Sequence, residues 1–142
     1  MNKPKLSAKD YLSQAYRIDQ RINSKIEQVQ SLRALAEKAT STLSATPTSG
    51  TRNIHRMETI IAKMVDLESE INTDLNYLID LKHEIVTVIK CVVNPELKTL
   101  LELRYLCFKT WEEISVSLRL DIRWIHRLHN RALCEVDIIR HC

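Results

Sequence analysis

One glycine and three prolines are all that this chain of 142 residues contains of the two strongest turn formers. Sheets closed by tight hairpins recruit Gly, Asn and Pro at their turns, so this scarcity predicts an almost wholly helical protein. A single Gly also excludes a glycine-rich loop that cradles phosphate, and no Ser, His and Asp stand in a context that would activate a nucleophile. No enzyme is expected, and no cofactor. No apolar run approaches the ~18 residues that span a bilayer, and the opening Met-Asn-Lys-Pro-Lys is not followed by an apolar stretch of the signal-peptide kind. A cytoplasmic protein with no membrane association is expected.

Cysteine is present but not in a metal-binding pattern. Cys91, Cys107, Cys134 and Cys142 include no pair at the two-to-four-residue separation of a zinc site, so no metal is expected. Cys91 and Cys107 lie in apolar neighbourhoods and read as buried small hydrophobes of a reducing compartment, whereas Cys142 reads as exposed. The formal charge of +3 is too small to argue for nucleic acid by itself. Only its local arrangement is informative.

From Ser7 to Leu43 the positions Ala8, Tyr11, Ala15, Ile18, Ile22, Val29, Leu32, Ala36, Ala39 and Leu43 alternate by threes and fours, interrupted at Lys25. That spacing is a coiled-coil seam on a helix on the order of 50 Å long, with Ser7 as its cap. Thr40 to Asn53 is polar, contains Pro47, Ser49 and Gly50, and reads as a connector. A second pattern follows in Ile54, Met57, Ile61, Met64, Ile71, Leu75, Leu78, Ile85 and Ile89, beside a parallel set of Ile60, Leu67, Leu81 and Val88. Two adjacent stripes predict a helix with more than one neighbour. Asn94-Pro95-Glu96 closes that helix and opens another, which carries Leu97, Leu100, Leu101 and Tyr105 to about Cys107. The expected fold is therefore all-α: a long antiparallel, coiled-coil-like helical hairpin over residues 1–93 with a loop near 41–53, then a small three-helix helix-turn-helix domain over 94–142. Long seams favour a homodimer, although an intramolecular hairpin uses the same residues.

The last third names a chemistry. Thr110 and Glu113 form a capping box, so a helix should begin at Trp111 with Ile114 and Leu118 on one face. Asp121 then caps a second helix, in which Ile125, Leu128 and Ala132 define a buried stripe while Arg123, Arg127 and Arg131 recur every four residues on another face. An arginine row on the second helix of such a pair suits the major groove of double-stranded DNA. The expected DNA-contacting set is Arg119, Ile122, Arg123, Trp124, His126, Arg127, Asn130 and Arg131. Arg123, Trp124 and Arg127 are placed to reach base edges, and Asn130 and Arg131 to touch phosphates. Arg119 either joins the phosphate contacts or is solvated. Trp124 fits either an apolar contact to a base or a packed position at a helix or subunit contact. His126 and His129 read as DNA-proximal or solvent-facing imidazoles rather than metal ligands, and Glu112 and Glu113 as helix-start residues rather than a carboxylate pair.

Residues from about Leu100 to Leu133 resemble the C-terminal promoter-reading domain of sigma factors, through Leu103-Arg104-Tyr105, Thr110 to Ile114, and Arg131-Ala132-Leu133. Arg104-Tyr105, Trp111-Glu112-Glu113-Ile114 and Arg127-Leu128-His129 look like small phage and prophage proteins of Gram-positive bacteria. These are similar to late-transcription regulators of the ArpU and RinA type. The likeness covers about a quarter of the chain. It implies a transcriptional regulator in a bacterial host cell, with a promoter element or operator and the host RNA polymerase as two targets. The family carries Gly where this chain has Phe108 and Arg119, so these turns are expected to be built differently here. A helical interaction or assembly protein, or a polymerase-binding factor without DNA contact, is the rival reading.

Overall fold

The computed structural model describes residues 6–45 and 50–141, and their side chains over 6–41 and 54–141. Among the described residues there are helices and turns and no strand, as the scarcity of turn formers predicts. Two long helices, α1 (Ala8–Ala45) and α2 (Gly50–Lys90), precede α3 (Pro95–Leu101), α4 (Trp111–Leu118) and α5 (Ile122–Arg140). None of the described helices is long and apolar enough to cross a membrane. The chain divides into two compact units: Met1–Ile18 together with Leu78–Cys142, and Asp19–Tyr77.

The second unit is a two-helix antiparallel hairpin. Ser24, Gln28 and Leu32 lie beside Lys63, Leu67 and Glu70, while Arg33, Ala36 and Thr40 lie beside Met57, Ile61 and Met64, so one helix descends as the other rises. Ile22 and Val29 are buried in its seam, and Leu32, Ala36, Ala39, Met57, Ile60, Met64, Leu67 and Ile71 are half-buried. The interruption at Lys25 is an ion pair. Its ammonium sits 2.7 Å from the Asp74 carboxylate, with both side chains mostly covered. A paired charge at a seam position specifies register, because any slip leaves two desolvated ions without partners.

Two sequence expectations change here. The connector expected over 41–53 is far shorter, because α1 continues to Ala45 and α2 begins at Gly50; Pro47 and Ser49 lie outside the described residues. The Thr40 and Ser41 hydroxyls donate back to the carbonyls of Ala36 and Glu37, a satisfaction within the helix that lets polar residues prolong it. The apolar positions of α2 also sort differently. Met57, Ile60, Met64, Leu67 and Ile71 share the seam, while Ile54, Ile61, Val65 and Leu75 lie about 100° further round and are exposed.

The first unit has one continuous core. Ala8, Tyr11, Leu12, Ala15 and Ile18 from α1 and Leu78, Leu81, Ile85 and Ile89 from α2 are buried, as are Leu97, Leu100, Leu101, Ile114, Ile125, Leu128, Ala132 and Val136. The start of α1 is capped by Ser7, whose Oγ accepts from the Asp10 amide, and it is tied to the end of α5. The Ala8 amide donates to Asp137, the Arg140 guanidinium donates to the Leu6 carbonyl, and that same guanidinium lies 4.1 Å from the Tyr11 ring centre. Burial and a hydrogen bond to Glu84 push the Tyr11 hydroxyl up to about 12. Asn94 caps α3 as expected, but it forms a turn inside this unit. Cys91 and Cys107 are exposed rather than buried, because each ends a helical segment with its side chain turned outward; Cys142 lies outside the described residues.

The helix expected from Pro95 to about Cys107 opens into a wider π turn over Glu102–Leu106, where the Cys107 amide donates to the Glu102 carbonyl. Lys82 donates to the Leu106 carbonyl that this turn leaves free. Phe108 follows with φ 56°, packed edge-on against Tyr16 and under the Lys82 ammonium. Arg119 also has φ 56°, closing α4 with amide bonds from Arg119 to Val116 and from Leu120 to Ser115. These two bonds form a Schellman cap, which normally places Gly at the left-handed position. At both positions a residue with a Cβ adopts the left-handed conformation that Gly takes most readily.

A left-handed residue with a Cβ costs about 1 kcal/mol or more, partly offset by the larger entropy that Gly loses on folding. Arg119→Gly should raise unfolding free energy by about 0.5–1 kcal/mol in urea titrations. A lower stability for this variant would mean that the Arg119 side chain contributes packing not evident in its exposed position.

Candidate nucleic-acid interface

The candidate surface rests on two helix starts and the turn between them. Thr110 accepts from the Glu113 amide at 3.2 Å while Glu113 accepts from the Thr110 amide, so the capping box fixes the entry to α4. Asp121 accepts from the Arg123 amide at 3.1 Å and begins α5, while Ser115 donates to the Leu120 carbonyl and staples the turn from within. Ile125, Leu128, Ala132 and Val136 then turn inward.

The other side of α5 is open. Arg119, Arg123, Trp124, His126, Arg127, Asn130 and Arg131 are exposed, and Ile122 is half-buried at the edge of the core. None of the four arginines takes part in an ion pair among the described residues, so their guanidinium donors are available to an external anion. Arg123, Arg127 and Arg131 are spread over about 12 Å of helix axis, comparable with the width of the B-DNA major groove. Trp124 retains 42% exposure, so its ring is not buried within this chain.

His126 and His129 separate. His126 is exposed with its ring 4.9 Å from that of Trp111, whereas His129 is only 5% exposed. His129 is thus buried rather than solvent-facing. It stands four residues after Ile125, on the buried stripe, and that spacing was the available signal. Its Nε2 lies 2.6 Å from the Tyr105 hydroxyl in a buried hydrogen bond. Phenol is the stronger acid of the two, so the hydroxyl donates and the imidazole accepts. Burial pushes the imidazole down to about 4, with Lys9, Arg104 and His126 adding positive charge nearby, and burial pushes the Tyr105 hydroxyl up to about 12. Both partners are neutral at pH 7.

Sequence reasoning missed the support beneath this surface. Trp111 touches both histidines of α5, 4.9 Å from His126 and 4.5 Å from His129, and carries the Arg104 guanidinium 4.4 Å above its ring. Arg104 also donates to the Lys109 carbonyl. A cation over an indole face is favourable, and here it links the π turn to α4 and, through Trp111, to α5. Among the described residues no group of three His, Cys, Asp or Glu is gathered for a metal ion. No protein-family model matches the sequence, and no curated protein or solved structure matches it.

The sign of the His129 linkage follows from its lowered value. The unfolded imidazole binds a proton below about 6.5 while the folded one stays neutral to about 4, so this group's stabilisation is complete above 6.5 and is lost as pH falls towards 4. In that window stability should drop by up to about 1.4 kcal/mol per pH unit more in the native chain than in His129→Gln. Identical slopes for the two proteins would show that His129 is accessible to protons.

Proposed function

We propose that this chain is a DNA-binding transcriptional regulator of phage or prophage origin, in which α4 and α5 form a sigma-like helix-turn-helix and α5 enters the major groove. One observation carries the reading: an arginine row without ion pairs among the described residues covers the open side of a helix whose opposite side is locked into a core. An ordinary solvated face on a helix of this charge would mix in acidic partners. From Arg119 to Arg131 the only carboxylate is Asp121, and it is engaged at the helix cap. Arg123, Trp124 and Arg127 act as base-reading residues, with Ile122 and His126 beside them. Arg119, Asn130 and Arg131 hold the backbone. The protein binds and does not catalyse.

The hairpin serves dimerisation or partner docking. Ile54, Ile61, Val65 and Leu75 leave an apolar stripe on α2 beside a seam that two helices only half cover. Host RNA polymerase is a second target on the same reading. The rival, a helical assembly protein or polymerase-binding factor that never touches DNA, draws on that same stripe.

With Arg119 and Arg131 on phosphates, log affinity should fall with log salt at a slope of about −2 per subunit. Replacing Arg123 and Arg127 with Ala should reduce retention of the fragments selected from a random DNA pool by about 100-fold or more, with unchanged helicity. A nearly flat salt dependence, or full retention in that variant, would favour the rival. For the hairpin, Ile61→Glu with Val65→Glu should lower the sedimentation mass of any self-associated form; no change would remove this stripe from the interface.

A further inference from the structure

At the entry to α4 lies a partly enclosed cavity of about 210 Å³ lined by Lys9, Ser13, Tyr16, Arg104, Tyr105, Phe108, Thr110 and Trp111. Every lining residue belongs to the first unit. Lys9, Ser13 and Tyr16 fall at i, i+4 and i+7 and so share one face of α1, while the π turn and the segment entering α4 supply the rest.

The lining is chemically one-sided. It holds two cations and no carboxylate. Lys9 has no ion pair among the described residues, and Arg104 engages a backbone carbonyl and an indole face, leaving further N–H donors. Their combined field reaches the buried imidazole of His129, where both disfavour a proton. The remaining walls are aromatic, from Tyr16, Phe108 and Trp111, and the Ser13 hydroxyl has no hydrogen-bond partner among the described residues. Uncompensated positive charge beside ring faces favours a guest with one negative group and one flat apolar body. The volume is below that of sites for drug-sized ligands, which limits the guest to a single ring.

We infer that this cavity binds a small one-ring carboxylic acid, its carboxylate between Lys9 and Arg104 and its ring against Trp111, Phe108 and Tyr16. Trp111 is the shared wall. Its other contacts are His126 and His129 on α5, so an occupant that shifts the indole acts on the helix proposed to read DNA. That consequence deepens the proposed function and rests on it; occupancy of the cavity does not.

The test uses the full chain with Trp124→Phe, so that Trp111 is its sole indole, titrated with benzoate, benzamide and inorganic phosphate without DNA. Benzoate should change Trp111 fluorescence saturably with a dissociation constant in the millimolar range or tighter, and the other two should bind at least about tenfold more weakly, having lost the charge or the ring. Lys9→Met should weaken benzoate at least about tenfold. Ser13→Phe, which fills the cavity from its α1 wall, should abolish the response with unchanged circular dichroism. The inference is overturned by absence of a saturable response to benzoate, by equal binding of benzamide or phosphate, or by undiminished benzoate binding in either cavity variant. Because DNA is absent, a negative result here leaves the arginine row untouched, and a failure of Arg123→Ala with Arg127→Ala to affect DNA retention leaves the cavity untouched.

Discussion

The first unit depends on α5 having two incompatible sides, one that must be dry and one that must stay open. The buried hydrogen bond between Tyr105 and His129 is what makes the dry side tolerable, because an imidazole on that stripe would otherwise be a desolvated polar group without a partner. Both groups are held neutral, so no charge is buried. Trp111 completes the arrangement by covering His129 and reaching across to His126. The orientation of α5 is consequently set by polar and aromatic contacts as well as by Ile125, Leu128, Ala132 and Val136. The arginine row faces outward because the opposite side has no rotational freedom left.

The segment that begins α1 has an unexpected place in this. Ala8, Tyr11, Leu12 and Ala15 continue the heptad rhythm of a long helix, yet they are buried in the same core as α3, α4 and α5. Arg140 and Asp137 at the end of α5 hold the Leu6 carbonyl and the Ala8 amide, so residues more than a hundred positions apart close one core. A three-helix domain of some fifty residues is near the lower limit at which a core buries enough surface, and these added turns enlarge it. The same addition creates the cavity lined by Lys9, Ser13 and Tyr16, which an isolated helix-turn-helix would not possess.

Much of the local structure was legible because it obeys short-range rules. The capping box at Thr110 and Glu113, the caps at Asn94 and Asp121, and the buried i, i+3, i+7 stripe of α5 are each decided within a few residues. The connector was misread because Ser and Thr look like loop formers, whereas their hydroxyls can bond to a carbonyl one turn back and remain helical. The sorting of α2 into a seam and an exposed stripe was only half legible, since two apolar sets offset by about 100° differ only in which meets a neighbour. Lys25 looked like a defect in the seam because its partner Asp74 lies 49 residues away. Phe108 and Arg119 show the converse: both are left-handed despite carrying a Cβ, a conformation that nothing in their local sequence signals.

Composition and periodicity alone determined that the chain is helical, where α1, α3, α4 and α5 start, and which side of α5 carries the arginines, because these depend on turn chemistry and on angular spacing along one helix. Tertiary structure alone decided that His129 is buried against Tyr105, that Arg104 and Trp111 support α5 from behind, and that the first turns of α1 complete the core and wall the cavity. Those pairings join residues distant in sequence, and no local rule constrains which distant partners close-packing will bring together.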